Sequence, residues 1–173
     1  MFDAVAYSAV ETLRNGRRTD IRAFQPIDKE ALESAVGRTS ALSLYRRFFT
    51  IKRDFSERER EFFLNVDFIN HVALVALTEE AGRPAIVGGA RYVVVKPGRA
   101  EVAFVVIDEY QGQGIGGALL RHLAIVARAA GLHEFVAEVL TENSAMLNVF
   151  KNSGLPMSTT RETEYVHVTL RLD

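Results

Sequence analysis

The feature of this sequence that most restricts its fold is a glycine-rich segment at residues 111–117, which reads Gln-Gly-Gln-Gly-Ile-Gly-Gly. It follows an aliphatic run at 102–107, which predicts a strand, and it leads into an apolar stripe with helical spacing that begins at Ile115. Successive backbone N–H groups at the start of a helix, together with the helix dipole, bind anions such as phosphates. Glycine lets the backbone approach such a ligand closely. The segment therefore predicts a phosphate-binding turn between a strand and a helix.

Periodicity and turn residues predict the remaining elements. The sequence indicates strands at 9–13 and 19–24 around an Asn15-Gly16 turn, a helix capped by Asp28 that runs to Val36, and helices at 40–49 and 56–66. It then indicates a three-stranded meander at 72–77, 86–95 and 100–107, with turns at 82–84 and 97–98. A helix to Ala130 stopped by Gly131, a strand at 134–140, a helix at 143–152 and strands at 157–161 and 165–172 follow. This order predicts an α/β or α+β fold around one sheet.

Composition excludes several classes of protein. The 173 residues carry 21 Lys and Arg against 22 Asp and Glu, so no overall charge favours nucleic acid or an anionic membrane. The absence of cysteine excludes disulfides, thiolate metal sites and a cysteine nucleophile, and no two of the four histidines have zinc-site spacing. No apolar run approaches the roughly 18–20 residues of a membrane span, and Asp3 stands where a secretory signal carries basic residues. We expect a soluble, cytoplasmic protein with a single domain over residues 1–173 and no metal.

Two phosphate-binding interpretations fit the glycine-rich segment. The first is the dinucleotide pattern Gly112-x-Gly114-x-x-Gly117, with Glu138 about 20 residues downstream, where a ribose-binding acid belongs. That pattern normally opens a parallel βαβ unit, whereas an antiparallel meander is predicted here. The chain after Gly117 is also too short to complete a doubly wound fold.

The second interpretation rests on a family resemblance. Gln111-x-x-Gly114-x-Gly116 resembles the pyrophosphate loop of the GNAT superfamily of acyl-CoA N-acyltransferases, and the aliphatic run before it resembles the family's central strand. Downstream, the segment at 143–155 is similar to the family's Asn-x-x-Ala…Tyr…Gly-Phe pattern. The resemblance implies a GNAT-type fold, a mixed and mostly antiparallel sheet with helices on both faces. It also implies an N-acetyltransferase that uses acetyl-CoA in a ternary complex.

Within that superfamily the sequence most resembles bacterial protein lysine acetyltransferases, in the stretches 43–48, 66–67, 71–76 and 100–104. The resemblance implies a protein lysine as the acceptor, with an acyl-CoA synthetase as a candidate protein. Those enzymes often carry a cyclic-nucleotide-binding or an acyl-CoA-synthetase-like domain. We expect no such domain in 173 residues. Monomer and homodimer both remain open.

The resemblance also assigns cofactor-binding roles. The pantetheine arm is expected to pair with the strand and to meet an asparagine, the N–H of Val106 is expected to face the thioester oxygen, and the glycine-rich loop is expected to hold the pyrophosphate. Asn143 can also cap the helix that follows it. Arg121 is a candidate for the 3′-phosphate. The expected cofactor-binding residues are Phe104, Val105, Val106, Gln111, Gly112, Gln113, Gly114, Ile115, Gly116, Gly117 and Asn143.

Acetyl transfer to lysine also needs a base, because an amine with a pKa of about 10.4 is only on the order of 0.1% neutral near pH 7.4. Glu101 interrupts an apolar strand beside the loop, and in the related lysine acetyltransferases the glutamate at this place is the general base. We therefore expect Glu101 to be catalytic, with Asp67 and His71 as the next candidates. Phe150 stands where many family members have the tyrosine that protonates the leaving thiolate, so this position cannot supply the acid. A dinucleotide-binding protein and a non-catalytic coenzyme A sensor remain the alternative functions.

Overall fold

The computed structural model describes residues 1–37 and 66–173. The helices predicted at 40–49 and over most of 56–66 lie outside these residues. The described part contains three α-helices, α1 (Lys29–Gly37), α2 (Ile115–Ala129) and α3 (Ser144–Lys151). Its strands are β1 (Ser8–Thr12), β2 (Arg18–Ala23), β3 (His71–Glu80), β4 (Arg83–Lys96), β5 (Arg99–Val106), β6 (Glu134–Leu140), β7 (Met157–Arg161) and β8 (Tyr165–Arg171).

These eight strands form one sheet in the order β1-β2-β3-β4-β5-β6-β8-β7. Among them only β5 and β6 run parallel, and every other neighbouring pair is antiparallel. This mixed, mostly antiparallel sheet with its helices confirms the predicted fold class. It is not a doubly wound parallel sheet, so the structural context of a dinucleotide fingerprint is missing.

Local signals placed the turns well, with one exception. The Asn15-Gly16 and Pro97-Gly98 turns form as predicted, and Gly16 and Gly98 have φ angles of 82° and 81°. The turn predicted at 82–84 instead lies at Ala81-Gly82, whose φ angles are 51° and 78°. Two successive positive φ angles form a tight two-residue hairpin turn, because they match the twist of the flanking strands. Pro84 lies inside β4, opposite Glu79.

Asp28 does not cap α1, so that prediction is wrong. Its carboxylate accepts hydrogen bonds from the backbone N–H of Gln25 at 2.8 Å and from the Arg22 guanidinium at 2.7 and 2.8 Å. Residues Pro26–Asp28 form a 3₁₀ turn that leads into α1. The bidentate pair with an arginine on β2 holds the carboxylate away from the helix N-terminus.

Helix α2 packs its predicted apolar stripe on the sheet. Ile115, Leu119, Leu123 and Val126 are at most 1% exposed. A glycine on β4 permits this close approach, because a Cβ at Gly88 would lie 3.2 Å from Ile115 Cγ2. The start of α2 is therefore held tightly against the middle of the sheet.

Strand β5 is paired unequally on its two sides. It pairs with β4 over its whole length, from Arg99 to Val106. It pairs with β6 only from Arg99 to Glu101, after which the two strands separate. This separation opens a cleft beside residues 102–106, directly ahead of the glycine-rich segment.

Candidate active site

The cleft between β5 and β6 has a volume of about 630 Å³. All of the residues that the sequence predicts for the site line it: Glu101, Phe104, Val105, Val106, Gln111, Gly112, Gln113, Gly114, Ile115, Gly116, Gly117 and Asn143. The structure also brings residues to the cleft that sequence reasoning did not assign to it, among them Glu11 and Arg14 from the first hairpin. The Asn15-Gly16 turn signalled that hairpin, but no sequence signal placed it beside the loop.

The backbone of β5 presents polar groups to the cleft that β6 does not pair. The N–H of Ile107 donates to the carbonyl of Val87 at 2.9 Å, which shows that Ile107 faces β4. Because successive residues of a strand alternate, the main-chain groups of Val105 also face β4, and those of Phe104 and Val106 face the cleft. Val105 therefore lines the cleft without directing its N–H and C=O groups into it.

The glycine-rich segment forms the anion-binding end of the cleft. Gly112 and Gly114 have φ angles of 78° and 94°, conformations that favour glycine. The N–H of Ala118 makes the first intrahelical bond of α2, to the carbonyl of Gly114 at 3.1 Å. The N–H groups at 115–117 precede it and have no partner within the helix. They stand at the positive end of the helix dipole, an arrangement suited to a phosphate.

Two amide side chains fix the walls of the cleft. Gln111 Nε2 donates to the carbonyl of Val106 at 3.0 Å and so ties the loop to the end of β5. Asn143 Oδ1 accepts from the N–H of Met146 at 3.1 Å and caps α3. The capping role considered for Asn143 is therefore observed, at a position that also lines the cleft.

Glu101 lies at the closed end of the cleft, at the last position where β5 pairs with β6. It is exposed, and its carboxylate makes no hydrogen bond or ion pair within residues 1–37 and 66–173. It is in register with Val93 and, across β4, with His71. Gly88 faces α2 and lies an odd number of residues from Val93, so Glu101 projects from the opposite face of the sheet.

The two other candidate bases are already engaged. Asp67 Oδ1 accepts the backbone N–H groups of Ile69, Asn70 and His71 at 2.8–2.9 Å. These bonds, that of Ile69 above all, hold the pKa of Asp67 below its usual range despite some burial. His71 Nε2 lies 2.9 Å from Arg91 Nη1, and because a guanidinium has only donors, this nitrogen acts as the acceptor. Both groups thus support the start of β3.

Phe150 forms part of the apolar wall of the cleft. It is 1% exposed, and its ring packs edge-on against Phe104 with the centroids 5.9 Å apart. The ring fills the space between α3 and β5 and carries no proton to transfer.

A polar network borders the cleft beside α2. His122 bonds through its two ring nitrogens to the hydroxyl of Tyr7 and to Glu11, and Arg121 donates to the same Glu11 at 3.1 Å. Burial would raise the pKa of Glu11, but the hydrogen bonds from His122 and Arg121 and their charges lower it. Arg121 is thereby held beside Gly117, where a Cβ would lie 3.7 Å from Arg121 Nη1.

The described residues contain no group of three or more acidic or histidine side chains arranged to hold a metal ion. In the same part of the chain, no helix has the length and apolarity needed to cross a membrane.

Comparisons with known proteins agree with this geometry. Residues 38–155 match the family described as the Acetyltransferase (GNAT) family. The chain is 35% identical over 146 residues to the acetyltransferase Pat of Mycolicibacterium smegmatis, an alignment that covers 82% of this chain and 42% of Pat. It is 32% identical over 138 residues to an acetyltransferase of Pseudomonas aeruginosa, covering 79% of this chain and 74% of that protein. The GNAT domain of S. lividans PAT superposes with a TM-score of 0.85 at 33% identity, covering 95% of this chain and 96% of that one. The chain thus spans less than half the length of Pat.

Proposed function

This chain belongs to the GNAT acetyltransferase family, and from that premise we propose that it is an N-acetyltransferase that transfers the acetyl group of acetyl-CoA to a protein lysine, with Glu101 as the general base. One observation carries the proposal. The separation of β5 from β6 opens a cleft that has the glycine-rich loop at one end and, at the other, a carboxylate with no partner among the described residues.

The cleft accommodates an extended cofactor arm along β5. The polar groups of Phe104 can pair with the amides of pantetheine as a neighbouring strand would, in place of the missing part of β6, and the N–H of Val106 is left for the thioester oxygen. The N–H groups at 115–117 can hold the pyrophosphate at the start of α2. Gln111, Gly112, Gln113, Gly114 and Asn143 complete the proposed cofactor-binding surface.

The proposed reaction is a direct attack in a ternary complex. The lysine ammonium gives a proton to the Glu101 carboxylate, and the neutral amine then attacks the thioester carbon. The oxygen of that carbon gains negative charge, which the N–H of Val106 stabilises. The nitrogen, positively charged after the attack, gives its second proton to water. When the carbon–sulfur bond breaks, the thiolate leaves and takes a proton from water, because Phe150 has none to give. A thiolate with a pKa of about 8.5 is a sufficiently stable leaving group for this step.

The position of Glu101 suits a separate entrance for the acceptor. It projects from the face of the sheet opposite α2 and α3, whereas the phosphate-binding loop continues into α2. An amine can therefore approach Glu101 while the cofactor occupies the cleft. The resemblance of the sequence to bacterial protein lysine acetyltransferases supports a protein acceptor, for which a lysine of an acyl-CoA synthetase is our first choice. We further propose that residues 1–173 form one catalytic domain that acts in the cytoplasm.

Calorimetric titration with acetyl-CoA and with NAD tests the cofactor. We expect saturable binding of acetyl-CoA and none of NAD. Binding of NAD without binding of acetyl-CoA would favour the dinucleotide interpretation of the site. Acetyl-CoA binding without transfer to any amine or protein in a broad panel would indicate a coenzyme A sensor.

Mapping of acetylated peptides by mass spectrometry tests the acceptor. A cytosolic extract is incubated with acetyl-CoA and either the wild-type protein or Glu101→Gln, which controls for non-enzymatic acetylation. We expect a defined set of lysines that only the wild type acetylates. Transfer to polyamines or aminoglycosides, with no such lysine, would contradict the protein acceptor and leave the cofactor assignment in place.

A further inference from the structure

The turn of the first hairpin rests on the glycine-rich loop. Asn15 Nδ2 donates to Gln113 Oε1 at 3.1 Å, and the Arg17 guanidinium lies 5.2 Å from the centroid of the Tyr110 ring. The turn itself is closed by two backbone bonds, from Leu13 to the carbonyl of Arg17 at 2.9 Å and from Gly16 to that of Leu13 at 2.8 Å. The turn thus contacts the loop at Gln113 and the residue before the loop, Tyr110, and Arg14 lies within this closed turn, directly before Asn15.

Arg14 carries a cation at the loop that has no partner among the described residues. A Cβ at Gly114 would lie 3.6 Å from Arg14 Nε and 3.7 Å from Nη2, so the guanidinium lies against the first residue of the α2 N-terminus. Arg14 lines the cleft, and within residues 1–37 and 66–173 it makes no hydrogen bond or ion pair. Its donors therefore remain available beside the N–H groups at 115–117.

Arg121 differs from Arg14 in its position beside the loop and in having an acidic partner. It lies one turn further along α2, beside Gly117, and its guanidinium is paired with Glu11 at 3.1 Å. A phosphate at Arg121 has to compete with that carboxylate, whereas a phosphate at Arg14 does not. A guanidinium also presents a planar set of donors that matches two phosphate oxygens.

We propose that Arg14 binds the pyrophosphate of the acyl-CoA donor and adds selectivity for coenzyme A over thioesters without a diphosphate. The proposal rests on the cofactor part of the proposed function. Main-chain N–H groups hold the anion from one side, and a side chain of the first hairpin closes over it from the other. Arg14 is thus a specificity residue that acts on the donor and not on the acceptor amine.

Three acetyl donors separate the possible roles of Arg14. Acetyl-CoA has both the pyrophosphate and the 3′-phosphate, 3′-dephospho-acetyl-CoA keeps only the pyrophosphate, and acetyl-pantetheine lacks both. We compare kcat/KM for each donor in wild type, Arg14→Gln and Arg14→Lys. Arg18→Gln is the matched control, because it removes the same charge from an exposed arginine that pairs with Asp20 and does not line the cleft. Thermal melts of each variant report its folding.

We expect Arg14→Gln to lower kcat/KM about 10-fold for acetyl-CoA and for 3′-dephospho-acetyl-CoA, and to leave acetyl-pantetheine unchanged. The change should appear in KM and not in kcat, Arg14→Lys should recover part of it, and Arg18→Gln should behave as wild type. A loss seen only with acetyl-CoA would overturn the proposal in favour of the 3′-phosphate. An equal loss with acetyl-pantetheine, or no loss with any donor, would also overturn it. A wild-type protein that fails to bind acetyl-CoA would instead overturn the proposed function.

Discussion

The two edges of β5 differ in how much of their length is paired. Towards β4 the strand is paired from Arg99 to Val106, and the sheet there is closed by main-chain bonds and packed on α2. Towards β6 the pairing stops at Glu101, and the remaining polar groups of the strand face a cleft of about 630 Å³. The difference teaches that the candidate site is made by leaving part of one strand edge unpaired while the other edge of the same strand stays paired. We therefore expect changes at the paired edge to affect stability and changes at the open edge to affect catalysis.

The largest effect is expected at the open edge, from Glu101→Gln. Glutamine keeps the size of the side chain and cannot accept the proton, so we expect kcat to fall by roughly 10²–10⁴ with acetyl-CoA affinity nearly unchanged. The remaining activity should rise with pH, because solvent then supplies more of the neutral amine. Steady-state kinetics from pH 7 to pH 9.5, with calorimetry for the cofactor, measure both effects.

The melting temperature of Glu101→Gln should equal that of the wild type, because the described residues give this carboxylate no partner to lose. An unaltered kcat at pH 7 would remove Glu101 from the mechanism. A large loss of acetyl-CoA affinity would show that it supports the cofactor strand instead.

A smaller effect, on stability, is expected at the paired edge from Gly88→Ala. The new Cβ would lie 3.2 Å from both the Val105 carbonyl oxygen and Ile115 Cγ2, neither of which can move without shifting β5 or α2. We expect the free energy of unfolding to fall by about 2 kcal/mol. Gly89→Ala is the matched control, because its Cβ would make an ordinary contact, 3.5 Å from the carbonyl oxygen of Leu74.

Urea denaturation of the two alanine variants measures the difference between their free energies of unfolding. Acetyl-CoA titration of the folded proteins shows whether the effect of Gly88→Ala also reaches the open edge of β5. A fall in acetyl-CoA affinity of more than about 10-fold (1.4 kcal/mol) in Gly88→Ala would contradict the expectation that changes at the paired edge affect stability alone. It would mean that the packing of α2 on β4 also sets the geometry of the loop.

The smallest effect is expected at alkaline pH, from Tyr92 on β4. Burial and, to a lesser extent, the charge of Asp67 raise the pKa of Tyr92 to about 12. The folded state thus keeps a proton that the unfolded state releases near pH 10, so this contribution to stability is complete below pH 10 and is lost as the pH rises towards 12. Between pH 9 and pH 11 the wild type should lose about 1.4 kcal/mol relative to Tyr92→Phe.

Urea denaturation of both proteins at pH 9, 10 and 11 isolates the contribution of Tyr92 to the free energy of unfolding, since the other titrating groups are common to them. Parallel pH dependences would contradict the assignment. A phenolate signal from Tyr92 below pH 11 in the folded protein would show that water reaches the paired edge.

Much of the fold followed from local signals. The order of strands and helices within residues 1–37 and 66–173, the Asn15-Gly16 and Pro97-Gly98 turns and the Gly131 helix stop all depend on residues close together in the chain, and the structure confirms them. The Ala81-Gly82 turn escaped prediction because alanine rarely adopts a positive φ. Asp28 was assigned to the wrong partner because its neighbour Arg22 is brought near by β2, which a capping rule does not consider.

The candidate site also has features that the sequence predicted and features that it did not. Its residue types were predictable, since the glycines of the loop and the glutamate in an apolar strand are visible in the sequence. Whether His71 or Glu101 is available was not predictable, because residues distant in the chain decide it, whereas the partners of Asp67 lie only two to four residues away. Arg91 bonds to His71 from the next strand, three backbone N–H groups take up Asp67, and Glu101 keeps its carboxylate unpaired within the described residues.

By itself, then, the sequence determined which segments become strands and helices, where the anion-binding loop lies and which residue types surround it. These properties depend on φ preferences, side-chain periodicity and hydrogen bonds over a few residues. The tertiary structure alone decided that β5 and β6 part after Glu101, that main-chain groups of Phe104 and Val106 face the gap and that Arg14 lies on the loop. Each of these depends on strand pairing or on contacts across more than 30 residues of sequence, whose register and distance no local preference specifies.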